Sequence, residues 1–460
     1  MKKNTTRNTA YGLFALDVVT SILVFNIVAR FRGLELADHL ILAPLALPIG
    51  ATVLAIYLIE GYKDRTDMLS VDYTSQHTIA LIGAMLTTLI VTYVVLRDGY
   101  EMQSSRAVIA LSFIALIPLT IGYRRVIYQS ALAAKGDRSL VFLGDQASCE
   151  AFHTECQKMG MYQRVIFSVV SEDSAAPFSP QAGQPLRPFA EVLDDIQAGR
   201  IAVEAIILRE SARELVPDMS RRLVHLYFSG IPTYTLELFH QVYWQKIPIY
   251  RLNQTWLFQE GFQIAREPVF ERIKRISDIV LSALGLVLAS PVIALGAIAI
   301  WLEDRGPIFF FQNRVGRNHQ VFRIIKLRTM RVRETAGDLY TQPGDSRITR
   351  VGRFLRTTRI DEFPQMWNVL VGDMSLIGPR AEWDRLVENY ERDIPCYHFR
   401  HLVKPGITGW AQVNYPYGAN LEDTIRKLEY DLYYIRHFSF LLDATIVLKT
   451  IHIMLFGKGR

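Results

Sequence analysis

The chain has 460 residues, 50% of them apolar, a positive mean hydropathy and a formal net charge of +6. That length allows two or three domains. The composition is too apolar for an ordinary soluble protein and too polar for a chain wholly embedded in lipid, so part of it is expected in the membrane and part in water. Three cysteines, Cys149, Cys156 and Cys396, odd in number and without a C-x-x-C pair, argue against a disulfide framework or a zinc site.

In chain order, the N-terminus "MKKNTTRNTA" is polar, and the apolar run behind it has no small-residue cleavage site. It reads as a retained first span. Four apolar segments, Tyr11–Val28, Leu40–Ile59, Thr78–Leu96 and Ala107–Tyr123, each approach the ~20 residues needed to cross a bilayer core. Lys2, Lys3 and Arg7 precede the first, Lys63 and Arg65 follow the second, and Arg124, Arg125, Lys135 and Arg138 follow the fourth. The opposite loops carry Arg30, Arg32, Arg97 and Arg106. The modest excess places the N-terminus, and everything after the fourth span, in the cytoplasm. Asp17, inside the first span, is expected to face helix neighbours rather than to carry an ion or proton.

A water-soluble α/β stretch comes next. "SLVFLGD" (139–145), "RVIFSVV", "AVEAIILRE" and "IPTYTL" read as strands, with helical patterns between them, which predicts a small parallel sheet. The expected layout is a four-span transmembrane bundle over 1–130, a Rossmann-like α/β domain over 131–262, and an α-rich domain over 263–460. The first strand ends in Gly144 alone. The G-x-G-x-x-G cradle that a dinucleotide needs is missing, so no nucleotide is expected there. If the chain forms a homodimer, this domain is the expected interface.

The segment 272–307, "RIKRISDIVLSALGLVLASPVIALGAIAIWLEDRGP", is apolar for about two dozen residues and interrupted by Ser290-Pro291. Length alone makes it a fifth span, kinked by its proline. A fifth crossing would place the basic remainder outside, against the charge bias. A re-entrant hairpin over about 276–302 would keep it inside, each arm of ~11 residues reaching ~16 Å into a ~30 Å core. The tail "FLLDATIVLKTIHIMLFGKGR" suits either a helix on the membrane surface or a core helix.

Between Arg305 and Arg359 stand thirteen Lys/Arg against three Asp/Glu. Arginine recurs at 347, 350, 353, 356 and 359. A step of three on an α-helix falls ~60° short of a turn, so the row spirals, some members toward lipid headgroups and some toward phosphate. Nucleic acid is not the expected partner, because membrane segments adjoin the run. Then, in "RTTRIDEFPQMWNVLVGDMSLIGPR", Asp361 and Glu362 fall just before a helix that Pro364 opens. A helix N-terminus favours negative charge, which would keep Asp361 ionised and would also welcome a phosphoryl group. An ionised carboxylate can attack phosphorus. Two adjacent anions need positive charge, which Lys326, Arg328, Arg356 and Arg380 can supply, with a Mg²⁺ on the second carboxylate. A capping aspartate beside a surface glutamate fits the same spacing.

The blocks "KRISDIVLSALGLVLASPVIAL", "FFFQNRVGRNHQVFRIIKLRTM", "VGRFLRTTRIDEFPQMWNVLVGDMSLIGPR" and "VKPGITGWAQVN", in that order, resemble the bacterial sugar-transferase family, the monotopic phosphoglycosyl transferases, from about Arg272 to Arg460. The upstream layout resembles the family's long form. The resemblance implies transfer of a sugar-1-phosphate from a UDP-sugar (glucose or galactose leading) to undecaprenyl phosphate, releasing UMP, as the first membrane step of exopolysaccharide or O-antigen assembly. It implies Asp361 as nucleophile, Glu362 as its partner and Mg²⁺ ligand, and Lys326, Arg328, Arg356 and Arg380 at the phosphate site. Ser290 and Pro291 correspond to the helix break that makes the re-entrant hairpin, and the location implied is the bacterial inner membrane with the catalytic domain on its cytoplasmic face. One departure is Ala381, where many members have proline after the arginine, which is expected to loosen the loop beside Arg380. The rivals are a membrane glycosyltransferase that releases UDP and a non-catalytic membrane scaffold or sensor.

Overall fold

The computed structural model describes residues 4–33, 40–63, 66–95, 106–135, 138–161, 163–169, 186–209, 216–249, 268–331, 347–415 and 420–456. They fall into two compact units, Met1–Gln245 and Lys246–Arg460.

The first unit opens with helices α1 (Asn4–Phe31), α2 (Ala46–Leu58), α3 (Val71–Ile90) and α4 (Arg106–Lys135). Thr9–Phe31, Val71–Val95 and Arg106–Ser130 are long and apolar enough to cross a membrane. The second expected span is shorter than its apolar run. It is helical only over Ala43–Leu58, about 24 Å at the helical rise. Pro44 opens it in a 3-10 turn, and the left-handed backbone at Glu60 (φ 61°) closes it. Asp17 is fully buried and meets Arg124 at 2.5 Å, also fully buried, while the Tyr62 and Tyr123 hydroxyls donate to the same carboxylate. Its oxygens are thus committed to neighbouring helices. Removing either partner would strand a charge in low dielectric.

The same unit holds strands β1 (Arg138–Leu143), β2 (Val165–Val169), β3 (Arg187–Pro188), β4 (Ala202–Leu208) and β5 (Thr233–Thr235), all parallel in the order β3-β2-β1-β4-β5. Successive residues of β1 point to opposite faces. Leu140 and Phe142 pack with Phe152 and Phe239 on one side, while Val141 and Leu143 pack with Val192 and Leu226 on the other. Both faces are covered, which is why the strand reads as an unbroken apolar run. After Gly144, the Asp145 carboxylate caps helix α5 (Gln146–Lys158), accepting from Ser148 N at 2.9 Å.

The second unit begins before the boundary read from the sequence. Ile247 N donates to Glu429 O at 2.9 Å, and Lys246 pairs with Glu429 at 3.4 Å. The boundary at 262/263 itself lies outside the described residues. The segment holding Ser290 and Pro291 is one 37-residue α-helix, Pro268–Asp304, the fourth described helix long and apolar enough to cross a membrane. No helix–turn–helix reversal occurs at Ser290-Pro291. Proline deletes one backbone donor and leaves the ladder on either side intact. Both ends of this long helix are tied to the rest of the unit. Lys274 meets Asp443 at 2.5 Å, and Arg275 donates to Val369 O and Leu370 O at 2.6 and 2.8 Å. At the far end Asp304 pairs with Arg328, and Glu303 accepts from Arg350 N and Val351 N at 2.8 and 3.2 Å. Ala289 and Ile300 face the protein, while Val287, Leu288, Leu295 and Leu302 are exposed.

Around the long helix lie an antiparallel hairpin, β6 (Phe309–Val315) and β7 (Val321–Leu327), a parallel pair, β8 (Ser375–Ile377) and β9 (Gly406–Thr408), and a core built on Tyr397, Trp410, Tyr434 and Ile446. The tail helix, Phe440–Phe456, combines both sequence readings. Ile446 is in the core, and Phe440, Leu441, Val447, Ile451 and Leu455 are exposed.

Candidate active site

Several short elements bring the site together. The helix Arg350–Thr358 is capped by Thr349 and stopped by Arg359 in the left-handed conformation (φ 56°). A 3-10 turn, Ile360–Glu362, follows, and then the helix Gln365–Val371 with Pro364 at its cap. This sharp joint presents two consecutive carboxylates to β7, where Lys326 sits. Beside it the "GPR" segment crosses β9. A Cβ on Gly406 would lie 2.1 Å from Gly378 N, so only glycine permits that approach.

Glu362 is the hub. Its Oε1 receives Lys326 Nζ at 2.9 Å and Arg380 Nη2 at 3.4 Å, and its Oε2 faces Arg359 Nη1 at 3.8 Å. Burial alone would raise its pKa, but Lys326 and Arg380 outweigh that and hold it below the usual carboxylate range. Burial lowers Lys326, against the pull of Glu362. Asp361 is different. It is 8% exposed, and its carboxylate makes no hydrogen bond or ion pair to the described residues. Burial and the neighbouring Glu362 push it up to about 6, against the pull of Lys326, Arg356 and Arg380. The helix terminus therefore does not dominate its ionisation, contrary to the sequence expectation. It is still mostly ionised at pH 7. The result is one carboxylate consumed by structure and one held in readiness, a division of labour seen where two acids carry different tasks.

The predicted site residues do not all converge. Lys326, Arg380, Asp361 and Glu362 do. Arg356 acts on Asp361 electrostatically and donates through Nε to Thr329 Oγ1 at 2.8 Å. Arg328 does not join them; its guanidinium pairs with Asp304 at the end of the long helix. Arg359, counted only in the arginine row, belongs to the site. Ala381 does not loosen the loop. It is buried, its carbonyl accepts from Arg314 at 2.9 Å, and the Arg380 carbonyl accepts from buried Arg400 at 2.9 Å. Lys326, Arg380, Gln365 and Arg314 line a small pocket beside the pair. Four cations (Lys326, Arg356, Arg359, Arg380) thus surround two carboxylates, and the surplus positive charge suits a phosphate-bearing ligand.

The family model for bacterial sugar transferases matches residues 269–457. The chain is 40% identical over 269 residues to the UDP-N-acetylgalactosamine-undecaprenyl-phosphate N-acetylgalactosaminephosphotransferase of Aeromonas hydrophila, covering 58% of this chain and 63% of that one. It is 44% identical over 183 residues to the UDP-glucose:undecaprenyl-phosphate glucose-1-phosphate transferase of Escherichia coli, covering 39% of each. It is 37% identical over 186 residues to the exopolysaccharide production protein PSS of Rhizobium leguminosarum, 39% of this chain and 93% of that one. The matches thus span less than two thirds of the first two relatives.

Proposed function

The chain belongs to the bacterial sugar transferase family, and on that premise we propose that it transfers a sugar-1-phosphate from a UDP-sugar to undecaprenyl phosphate and releases UMP. The observation that carries the reading is the asymmetry of the acidic pair: Glu362 engaged by three cations, Asp361 by no hydrogen bond or ion pair among the described residues. In the first half-reaction an Asp361 oxygen attacks the β-phosphorus. The bond from that phosphorus to the bridging oxygen breaks, and UMP leaves with the electron pair. In the second, a phosphate oxygen of the lipid attacks the same phosphorus and the Asp361 carboxylate departs. Lys326, Arg356, Arg359 and Arg380 stabilise the charge that builds on the phosphoryl oxygens. Relatives named for glucose and for N-acetylgalactosamine leave the hexose class broad, and the relative matched over the longer stretch favours an N-acetylhexosamine.

Mg²⁺ is part of the proposal. The two carboxylates offer hard oxygen donors, and those of Asp361 have no protein partner among the described residues. Glu362 would help hold the ion, which would supply charge neutralisation to the diphosphate. Four cations already surround the pair, so the site fits Mg²⁺ best when the diphosphate arrives with it.

We place the protein in the bacterial inner membrane with the catalytic unit on the cytoplasmic face. The long helix does not span on this reading, because both its ends are bonded to one folded unit and its exposed apolar face can lie in one leaflet. A spanning helix would instead carry the C-terminal end of the chain outside. Impermeant labelling of a cysteine introduced near Arg460, protected in intact cells carrying the parent protein, reports this. The parallel sheet is read as a Rossmann-like domain without nucleotide, since Asp145 takes the helix terminus that a pyrophosphate would use.

The test of activity is incubation of membranes with a panel of UDP-sugars, Mg²⁺ and undecaprenyl phosphate. Release of UMP supports the reading. Release of UDP would make the protein a glycosyltransferase, and release of neither with any sugar would favour a scaffold.

A further inference from the structure

The tip of the β6–β7 hairpin carries side chains that the transfer reaction does not use. His319 lies in the turn Arg317–His319, bent by left-handed backbone at Asn318 and His319 (φ 53° and 61°). Its Nε2 is 2.7 Å from Glu391 Oε1, on the helix Asp384–Asp393. His401, in the 3-10 turn Tyr397–Leu402, brings its Nε2 within 3.7 Å of the same oxygen. The two imidazole rings are 4.7 Å apart between centres, and the three candidate donor atoms all lie within 4.8 Å of one another. From Val321 to Lys326 the strand alone runs about 17 Å, so this cluster is separate from the acidic pair.

His401 points to a ligand. It is 5% exposed, and its Nε2 has no hydrogen-bond partner among the described residues. A buried polar atom without a partner is rare in a native structure and calls for an explanation. A neutral imidazole has a lone pair to give. Two imidazoles and a carboxylate are the donor set of zinc-like divalent ions, whereas Mg²⁺ and Ca²⁺ prefer oxygen alone. Ligands of a tetrahedral zinc stand about 3.3 Å apart, and the separations of 2.7 and 3.7 Å bracket that value.

We propose that His319, Glu391 and His401 bind a divalent transition-metal ion of the zinc type, with a fourth position open to solvent. The ion ties the hairpin tip to the helix Asp384–Asp393 and to the turn holding His401. Its role is positioning. The hairpin carries Lys326, and Arg400, next to His401, holds the Arg380 carbonyl and Asp431, each at 2.9 Å.

The test uses the purified full-length protein, stripped with a chelator and titrated with Zn²⁺ in excess Mg²⁺, which occupies oxygen-only sites. The expected result is saturable binding of about one ion per chain, and Co²⁺ in its place giving the visible absorption of a four-coordinate site. His319→Gln and Glu391→Gln, both at exposed positions, should each weaken binding by at least ~10-fold, and the double variant should abolish it. Glu362→Gln should leave Zn²⁺ binding unchanged. Absence of saturable binding, binding that survives the double variant, or binding lost only in Glu362→Gln overturns the proposal.

Discussion

Replacing Asp361 with asparagine should stabilise the protein while removing its activity. The carboxylate is buried beside Glu362 without a hydrogen bond from the described residues, and its pKa rises from 3.8 to about 6. At 1.36 kcal/mol per unit, holding it ionised in the folded state costs ~3 kcal/mol. The sign follows from the direction of the shift. The penalty is absent below about pH 4, where the group is protonated in both states. It grows between about 4 and 6, and is complete above 6. Asparagine has nothing to ionise, so the variant should match the parent near pH 4 and exceed it at pH 7 by ~3 kcal/mol. In a domain of this size that is about 6–12 °C in Tm. The assay is unfolding of detergent-solubilised parent and variant from pH 4 to 8 with a chelator present. In parallel, transferase activity of the variant should fall by at least ~100-fold, the scale on which loss of a catalytic group is felt. A variant no more stable than the parent, with no pH dependence in the difference, would refute the account of Asp361 as a strained, uncommitted anion.

The pH–rate profile should follow the same group: kcat/KM should rise about tenfold per pH unit up to about pH 6 and then level, and a flat profile from 5 to 7 would contradict it. Lys326→Met removes the nearest partner of buried Glu362 and should cost ~3 kcal/mol in denaturant unfolding while raising KM for the UDP-sugar. Arg328→Ala and Arg380→Ala should separate: the first, paired with Asp304, lowers stability and spares KM, and the second raises KM with a smaller loss of stability. EDTA should abolish turnover and Mg²⁺ restore it, and calorimetry should find Mg²⁺ binding weak until the UDP-sugar is present.

Much of the catalytic unit was legible because its signals are local. The acidic pair, the proline behind it and the basic residues around it are close in sequence or in motifs of fixed order, and Asp361, Glu362, Lys326 and Arg380 do meet. The misreadings have physical causes. Lys326 and Arg328 are two apart and would share a face of a continuing strand, but β7 ends at Leu327, and Arg328 turns to Asp304. Arg359 was hidden because a step of three assumes an unbroken helix, whereas its own left-handed backbone breaks the helix and swings it to Glu362. Hydropathy marked an apolar run at 40–59 but not where its helix ends. Proline at 291 signalled a bend, but one missing hydrogen bond does not reverse a chain. The His319–Glu391 contact joins residues 72 apart, beyond any local pattern.

The central claim is that Asp361 becomes covalently phosphorylated by the sugar phosphate, and a single-turnover experiment tests it most directly. Purified protein is mixed with Mg²⁺ and the UDP-sugar it accepts, without undecaprenyl phosphate, and free UMP is measured against enzyme sites. The account predicts a rapid release approaching one UMP per site, with the phosphosugar retained on the peptide bearing Asp361 and no release from Asp361→Asn. UMP that appears only after the lipid is added would contradict it, and would mean that the lipid phosphate attacks the UDP-sugar directly.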